Sequence, residues 1–173
     1  MKRKECPICG ELLVEPVGPE SSPILLVGAY PGWEEVRTGI PWTGPAGDVF
    51  KEELGRAGIN YRDCRVTNLW LHKEVDPKHD RYEQEFDYHF KRLIQETFGK
   101  RGVLLMGRQP VALLLEESIT DVEGLNIVPR IFPSSVEVCV ISQNPASILT
   151  PGAVVGNVRH AIERFAELTK EWR

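Results

Sequence analysis

The stretch from Ile24 to Gly47 reads ILLVGAYPGWEEVRTGIPWTGPAG, an apolar run that breaks into glycine, proline and aromatic residues. The run Ile24–Gly28 has the length of a strand. Its lack of polar alternation predicts a strand buried on both faces, as in a parallel sheet. Parallel sheets bind ligands beyond the carboxyl ends of their strands, so the rigid loop after Gly28 predicts the wall of a binding pocket.

Further apolar segments predict the rest of the fold. Three more strands are expected over Arg65–Leu71, Gly102–Gly107 and Val136–Ser142. Apolar residues at helical spacing predict helices over Ala46–Ala57, Asp80–Phe98, Val111–Glu117 and Val154–Trp172. Strands that alternate with helices predict an α/β fold, a three-layer α/β/α sandwich around a central, mostly parallel four-stranded sheet.

Length and composition indicate one globular domain over residues 1–173, in which residues 1–22 form a lead-in. The chain is 42% hydrophobic and 27% charged, with a formal net charge of −4. This charge argues against a protein that coats nucleic acid, although a local basic cleft remains compatible with it. No apolar run approaches the roughly 20 residues of a spanning helix, and the basic start lacks the apolar segment of a signal peptide. We expect a cytoplasmic monomer without a membrane partner.

Two of the four cysteines, Cys6 and Cys9, stand close together in the motif CPICG. In a reducing compartment such a pair indicates half of a metal site rather than a disulfide. Two further ligands then have to come from elsewhere in the chain. Cys64 and Cys139 stand alone beside apolar strands and are expected to be small buried side chains.

Four motifs follow one another in an order that is similar to a known family. They are GAYPG at Gly28–Gly32, TGIPWTG at Thr38–Gly44, TN at Thr67–Asn68 and NPASIL at Asn144–Leu149. Together with GVLLMGRQPVALLL at Gly102–Leu115, they resemble the uracil-DNA glycosylase superfamily. The pattern most resembles the thermostable iron–sulfur branch, family four, with features of family five.

The resemblance implies an enzyme that flips uracil or another deaminated base out of DNA and hydrolyses its N-glycosidic bond in base excision repair. It assigns binding of the base to Gly28, Ala29, Tyr30, Pro31, Gly32, Trp42, Asn68 and Asn144. It assigns catalysis to Asn68, Asn144 and Glu35. DNA is then the expected partner, with Arg37 and Arg108 among the basic residues that face it.

Two of these positions have residue types that suit base recognition. Trp42 stands where the family carries an aromatic residue that stacks on the base, a contact worth roughly 1–3 kcal/mol. Asn68 stands where an asparagine binds the base edge, and its amide offers the donor and acceptors that N3–H and O4 require. Without the motifs, Trp42 would be a core residue of a loop and Asn68 the cap of a turn.

Three positions bear on catalysis, and two of them depart from the pattern. Asn144 replaces a histidine that donates to uracil O2, and a neutral amide stabilises the departing anion less well. Ala29 replaces an acid of the iron–sulfur branch, although family five also lacks an acid there. Glu35 matches a glutamate that guards against the methyl group of thymine, the alternative being a solvated loop carboxylate.

These departures leave a second interpretation open. The chain could be a catalytically weak or inactive member of the superfamily that binds damaged or modified DNA, or a nucleotide. A third interpretation is a role in assembling a repair complex.

The resemblance also suggests where the other metal ligands lie. It places one ligand four residues after Asn68, which is His72, and one in the next helix, at Asp87 or alternatively His89. We therefore expect a structural metal held by Cys6, Cys9, His72 and Asp87. Such a set favours zinc over the alternative, a [4Fe–4S] cluster held by four thiolates.

Overall fold

A computed structural model describes residues 3–73, 75–149 and 155–173, with Val155 described by its backbone alone. The four strands are β1 Ile24–Gly28, β2 Arg65–Asn68, β3 Gly102–Met106 and β4 Val138–Ser142. They form one sheet in the order β2-β1-β3-β4, and every neighbouring pair is parallel. The predicted four-stranded parallel sheet is confirmed.

Six helices connect and cover the strands in the described part of the chain. They are α1 Trp33–Thr38, α2 Pro45–Arg56, α3 Tyr82–Thr97, α4 Arg108–Leu115, α5 Ile119–Val122 and α6 Val155–Thr169. The four predicted helices correspond to α2, α3, α4 and α6, and the predicted start at Val154 lies outside the described residues. The short helices α1 and α5 were not predicted from the sequence. None of the helices in the described ranges is long and apolar enough to cross a membrane.

Alternate residues of the central strand enter two separate cores. Ile24 and Leu26 of β1 pack in one core with apolar residues of α2 and α6. Leu25 and Val27 pack in the other core with residues of α3, α4 and α5. Because the side chains of a strand alternate between its two faces, the sheet is covered on both sides. This arrangement confirms the three-layer sandwich.

The second strand ends earlier than the sequence predicts, at Asn68 rather than Leu71. The chain bends there, since the N–H groups of the consecutive residues Leu69 and Trp70 donate to Gly28 O at 2.8 Å and Ala29 O at 2.9 Å. In a regular strand, consecutive N–H groups point in opposite directions. The bend keeps the apolar side chains after Asn68 buried while it ends the ladder at that residue.

The lead-in covers the free edge of β2 rather than acting as a simple linker. Val17 forms an antiparallel bridge with Val66, and the guanidinium of Arg65 donates to Gly18 O at 3.0 Å. Gly18 has φ +84°, and a Cβ there would lie 2.0 Å from Cys64 O, so only glycine fits. An edge strand covered in this way does not offer a row of unpaired backbone groups to another chain.

The order of the strands sets where a ligand can enter. From β1 the chain passes to β2 on one side of the sheet and later to β3 on the other side. A crevice opens beyond the carboxyl ends of the strands where the connections diverge in this way. The ends of β1 and β2 therefore place Gly28 and Asn68 beside that crevice.

A buried ion pair joins the two helices on one face of the sheet. The carboxylate of Glu53 on α2 accepts two hydrogen bonds from Arg159 on α6, at 2.9 and 3.0 Å. The Glu53 side chain is 6% exposed and that of Arg159 is 42% exposed. The hydrogen bonds from Arg159 hold the pKa of Glu53 below its ordinary value of 4.5.

Replacing Glu53 with glutamine is expected to lower the free energy of unfolding at pH 7 by about 1–2 kcal/mol. A carboxyl whose pKa is lowered on folding stabilises the protein above its unfolded pKa, and this contribution is lost as the pH falls through the folded value. The difference between wild type and Glu53→Gln should therefore be smaller at pH 3 than at pH 7. Urea unfolding at both pH values measures it.

Glu137→Gln is the matched control, because Glu137 pairs with Arg101 at 2.7 Å while both side chains are about half exposed. Such an exposed pair contributes little to stability, because water and salt screen it. Equal losses of stability in the two variants would contradict a special role for the buried pair.

Candidate functional site

A cavity of about 360 Å³ opens at the carboxyl edge of the sheet. Its lining includes all but one of the residues that the sequence assigned to binding and catalysis: Ala29, Tyr30, Pro31, Gly32, Glu35, Trp42, Asn68 and Asn144. The remaining one, Gly28, lies directly beneath the side chains of Trp42 and Asn68. The fold thus brings residues from the ends of three strands to one cavity.

Gly28 allows the two base-binding candidates to approach each other. A Cβ at position 28 would lie 2.3 Å from Asn68 Oδ1 and 2.8 Å from Trp42 Cζ2. Both side chains therefore lie against the bare backbone of Gly28, and any larger residue would displace them. An amide edge and an aromatic ring meet here at one wall of the cavity.

Trp42 is held in a strained backbone conformation. Its φ is +56°, a left-handed value that a bulky residue rarely adopts. The ring is 7% exposed and packs on Phe50 with centroids 4.7 Å apart. A Cβ at Gly47 would lie 1.9 Å from Trp42 O, so the first turn of α2 closes directly on the loop. Phe50 thus packs against the indole ring, and Gly47 packs against the backbone of Trp42.

Asn68 is fixed from the other side by Arg92 of α3. The guanidinium donates to Asn68 O at 2.5 Å, to Leu69 O at 3.2 Å and to Thr67 Oγ1 at 2.9 Å. Burial lowers the pKa of Arg92 to about 10, so the side chain stays charged at neutral pH. Arg92 was not predicted from the sequence, because only the fold brings this helix against the end of β2.

Asn144 offers a hydrogen-bond donor to the cavity. Its Oδ1 accepts from the N–H of Ala146 at 2.9 Å, which fixes the orientation of the amide. The Nδ2 group of Asn144 is therefore left to donate a hydrogen bond to a ligand. Asn144 also lies close to the end of β3, since a Cβ at Gly107 would be 3.9 Å from Nδ2 and 3.7 Å from the Cβ of Ala29.

Glu35 has a structural role in the cavity wall. It is the third residue of α1, and its carboxylate interacts with the backbone N–H groups of Gly32 and of Glu35 itself. A glutamate at this position commonly caps the first turn of a helix. Burial raises the pKa of Glu35, as does the nearby Glu34, while the two N–H groups and Lys51 act in the opposite direction.

A second cluster lies where the CPICG motif meets the segment after β2. One ligand atom from each of Cys6, Cys9, His72 and Glu85 lies within 4.8 Å of the others. Cys6, His72 and Glu85 are at most 2% exposed. Glu85 Oε2 lies 3.1 Å from His72 Nε2 but has no hydrogen-bond partner among the described residues. A buried carboxylate oxygen of this kind favours a cation at the centre of the cluster.

The tautomer of His72 suits metal binding. Its Nδ1 lies 2.8 Å from Lys73 O, a carbonyl that can only accept, so Nδ1 carries the proton. Nε2 then carries a lone pair, which accepts from His89 Nε2–H at 2.9 Å and lies near Cys9 Sγ at 3.6 Å and Glu85 Oε2 at 3.1 Å. A backbone carbonyl that orients a histidine in this way is a common feature around metal ions.

His89, one of the two predicted fourth ligands, lies beside the cluster but is not one of its four members. Its Nδ1 accepts from the N–H of Leu71 at 3.4 Å, and its Nε2 lies 2.9 Å from His72 Nε2. Burial, together with His72 and Arg92, lowers the pKa of His89 to about 3. His89 is therefore neutral at physiological pH.

Asp87, the predicted fourth ligand, is not one of the four side chains that the structure brings together, and Glu85 is. Asp87 is exposed and pairs with Lys91 at 2.6 Å. Residues two apart on a helix point in nearly opposite directions, whereas residues four apart share a face. The pair Glu85 and His89, both buried within α3, could have indicated the inward face.

The other two cysteines, Cys64 and Cys139, do not belong to the cluster. Cys64 is buried in one main core and Cys139 in the other. Cys6 belongs to a third, small core with Leu13 and Leu71. The four thiols of the chain are therefore not gathered at one place.

Two contacts connect the cluster of Cys6, Cys9, His72 and Glu85 with the cavity. Arg3, just before the CPICG motif, donates to Val36 O in α1 at 2.6 Å. On the other side, α3 carries both Glu85 of the cluster and Arg92, which holds the backbone of Asn68. A metal bound at the cluster would therefore be linked to α1 through Arg3 and to the backbone of Asn68 through α3.

Comparisons with known proteins agree on one family. The sequence model of the Uracil DNA glycosylase superfamily matches residues 15–151. A Type-4 uracil-DNA glycosylase of Pyrobaculum aerophilum is 28% identical over 152 residues, which are 82% of this chain and 76% of the relative. A Type-4 uracil-DNA glycosylase of Archaeoglobus fulgidus is 31% identical over 95 residues, which are 53% of this chain and 47% of the relative.

Metal analysis of the purified protein is expected to distinguish Glu85 from Asp87 as a ligand. Glu85→Gln should lower the metal content of the protein and its melting temperature, because it weakens one of the four candidate ligands. Asp87→Asn is the matched control on the same helix and should leave both unchanged. Elemental analysis by mass spectrometry, with thermal melts before and after chelation, measures the effect. A loss of metal with Asp87→Asn alone would contradict the geometry.

Proposed function

Because the chain belongs to the uracil DNA glycosylase superfamily, we propose that it excises uracil or another deaminated base from DNA by hydrolysing the N-glycosidic bond. The observation that carries this proposal is the meeting of the Trp42 ring and the Asn68 amide against Gly28. A flipped base needs a surface to stack on and a partner for its polar edge. This wall of the cavity supplies both.

The cavity suits recognition of a pyrimidine edge. The amide of Asn68 can accept from N3–H and donate to O4 of uracil, whereas cytosine presents the opposite pattern. Asn68 is 3% exposed, and Arg92 holds its backbone. Binding a base therefore costs little conformational entropy at this residue. The ring of Trp42 then covers one face of the base.

Cleavage leaves negative charge on the departing base, and Asn144 is the residue placed to meet it. Its Nδ2 can donate to uracil O2, since its Oδ1 is already used by Ala146. Ala29 gives the cavity no acid at that position with which to orient water. We propose that Glu35, buried and with a raised pKa, shapes the water side of the cavity. The resulting enzyme is a slow glycosylase.

The reaction ends with an abasic site rather than a strand break. A lyase forms a Schiff base between a lysine and the sugar. The described lining of the cavity includes no lysine. For the DNA backbone, we propose contacts with Arg37 and with Arg108, which is exposed at the start of α4, next to Gly107.

We propose that the metal is a zinc ion with a structural role. Thiolates, an imidazole and a carboxylate are all ligand types that zinc accepts. A [4Fe–4S] cluster takes four thiolates, and Cys64 and Cys139 lie in separate cores. When bound, zinc would cross-link the CPICG motif to α3 and to the segment that follows Asn68.

Purified protein incubated with labelled uracil-containing strands, followed by alkaline cleavage of abasic sites, tests the activity. Trp42→Ala and Asn68→Ala should each lower single-turnover cleavage by about 10- to 100-fold, because each removes one contact to the base. Asn157→Ala is the control, since Asn157 is exposed and outside the cavity lining. Unchanged cleavage in both cavity variants would contradict the assignment.

A second pair of variants tests Asn144 as the donor to the leaving base. Asn144→Ala should lower cleavage by about 10²–10³-fold, the usual cost of removing such a donor. Asn144→His should raise cleavage above wild type, because imidazole is a stronger donor to a developing anion. DNA binding without base release in wild type and in Asn144→His would instead favour the alternative, a member of the family that binds damaged DNA without hydrolysis.

A further inference from the structure

The large apolar side chain with the greatest exposure in the described ranges stands at the mouth of the cavity. Trp33, the first residue of α1, lines the cavity and is 74% exposed. Tyr30 and Leu149, 45% and 49% exposed, line the same cavity. Exposed apolar surface grouped at a polar cleft is typical of a binding surface.

The face of the Trp33 ring is only loosely covered by its own chain. The guanidinium of Arg37 lies 5.9 Å from the ring centroid, near the outer limit for a cation–π contact. Trp172 provides a comparison on the same protein, because Arg101 lies 4.3 Å from its centroid and its ring is partly buried. The indole of Trp33 is therefore free to accept a planar partner.

Charges next to Trp33 also suit a nucleic acid. Arg37 donates to Glu34 at 2.7 and 3.0 Å, but its own side chain is 60% exposed. An exposed pair of this kind contributes little to stability, so the guanidinium of Arg37 can exchange the carboxylate for a phosphate at little cost. An aromatic ring beside a cation is the arrangement that binds single-stranded nucleic acids.

We propose that Trp33 stacks on the nucleobase that neighbours the flipped nucleotide, while Arg37 binds an adjacent phosphate. The inference rests on the proposed function, because a base held against Trp42 leaves its neighbours at the mouth of the cavity. Flipping also unstacks those neighbours. Trp33 then replaces the stacking partner that the neighbouring base has lost, which stabilises the extruded state without recognising sequence.

Binding to strands with a fluorescent label and a tetrahydrofuran abasic site tests the inference without catalysis. Trp33→Ala should weaken binding by about 10- to 100-fold, and Trp33→Phe should restore most of the affinity. Trp172→Phe is the matched control and should bind as wild type does. Arg37→Gln should reduce the slope of log affinity against log salt concentration by about one.

Tryptophan emission gives a second readout that a structural role would not change. Abasic-site DNA places no base on Trp42, so quenching on binding reports the neighbouring base on Trp33. Quenching should be present in wild type and mostly lost in Trp33→Phe. Equal affinity in Trp33→Ala, with quenching retained in Trp33→Phe, would overturn the inference.

Different experimental results would overturn the two proposals. Base release by wild type, with DNA affinity that does not depend on Trp33, overturns the stacking inference alone. DNA affinity that depends on Trp33, without base release by wild type, supports the inference and overturns the proposed catalytic function.

Discussion

The close approach of two side chains to the backbone of Gly28 is the constraint on which the site depends. Trp42 and Asn68 come from different parts of the chain and touch the same Cα, where no side chain can be accommodated. Each is then held from behind, Trp42 by Phe50 and the start of α2, and Asn68 by Arg92. Because both supports belong to regular elements of the sandwich, the cavity wall is rigid before any ligand arrives.

Helix α3 connects the metal cluster to this wall. Glu85, His89 and Arg92 follow one another at spacings of four and three residues, so they share one face of the helix. That face contacts the segment from Asn68 to His72 at every step, through Arg92, then His89, then Glu85. The cluster and the cavity are thus two ends of one packed surface, and a metal bound at the cluster would act on the cavity through the backbone of Asn68.

Sequence analysis predicted the family and the layers correctly because both depend on local patterns. Buried parallel strands are continuous apolar runs, and the motifs after them keep their order in the chain. The same patterns cannot show a bend that keeps its residues buried, so the end of β2 was placed too late, at Leu71. They also cannot show which residue of a helix faces a ligand, so Asp87 and His89 were named as candidate ligands and Glu85 was not. The support from Arg92 depends on tertiary packing alone.

The positions of the metal ligands in the chain have a consequence for synthesis on the ribosome. All four members of the cluster lie within the first 85 residues, together with β1, β2 and the start of α3. The cavity, in contrast, needs Asn144, which follows the last strand. A nascent chain can therefore close the cluster while its C-terminal half is still being made, because these contacts involve shorter loops. The C-terminal half, which supplies Asn144, is then added to an N-terminal half that already carries Trp42 and Asn68.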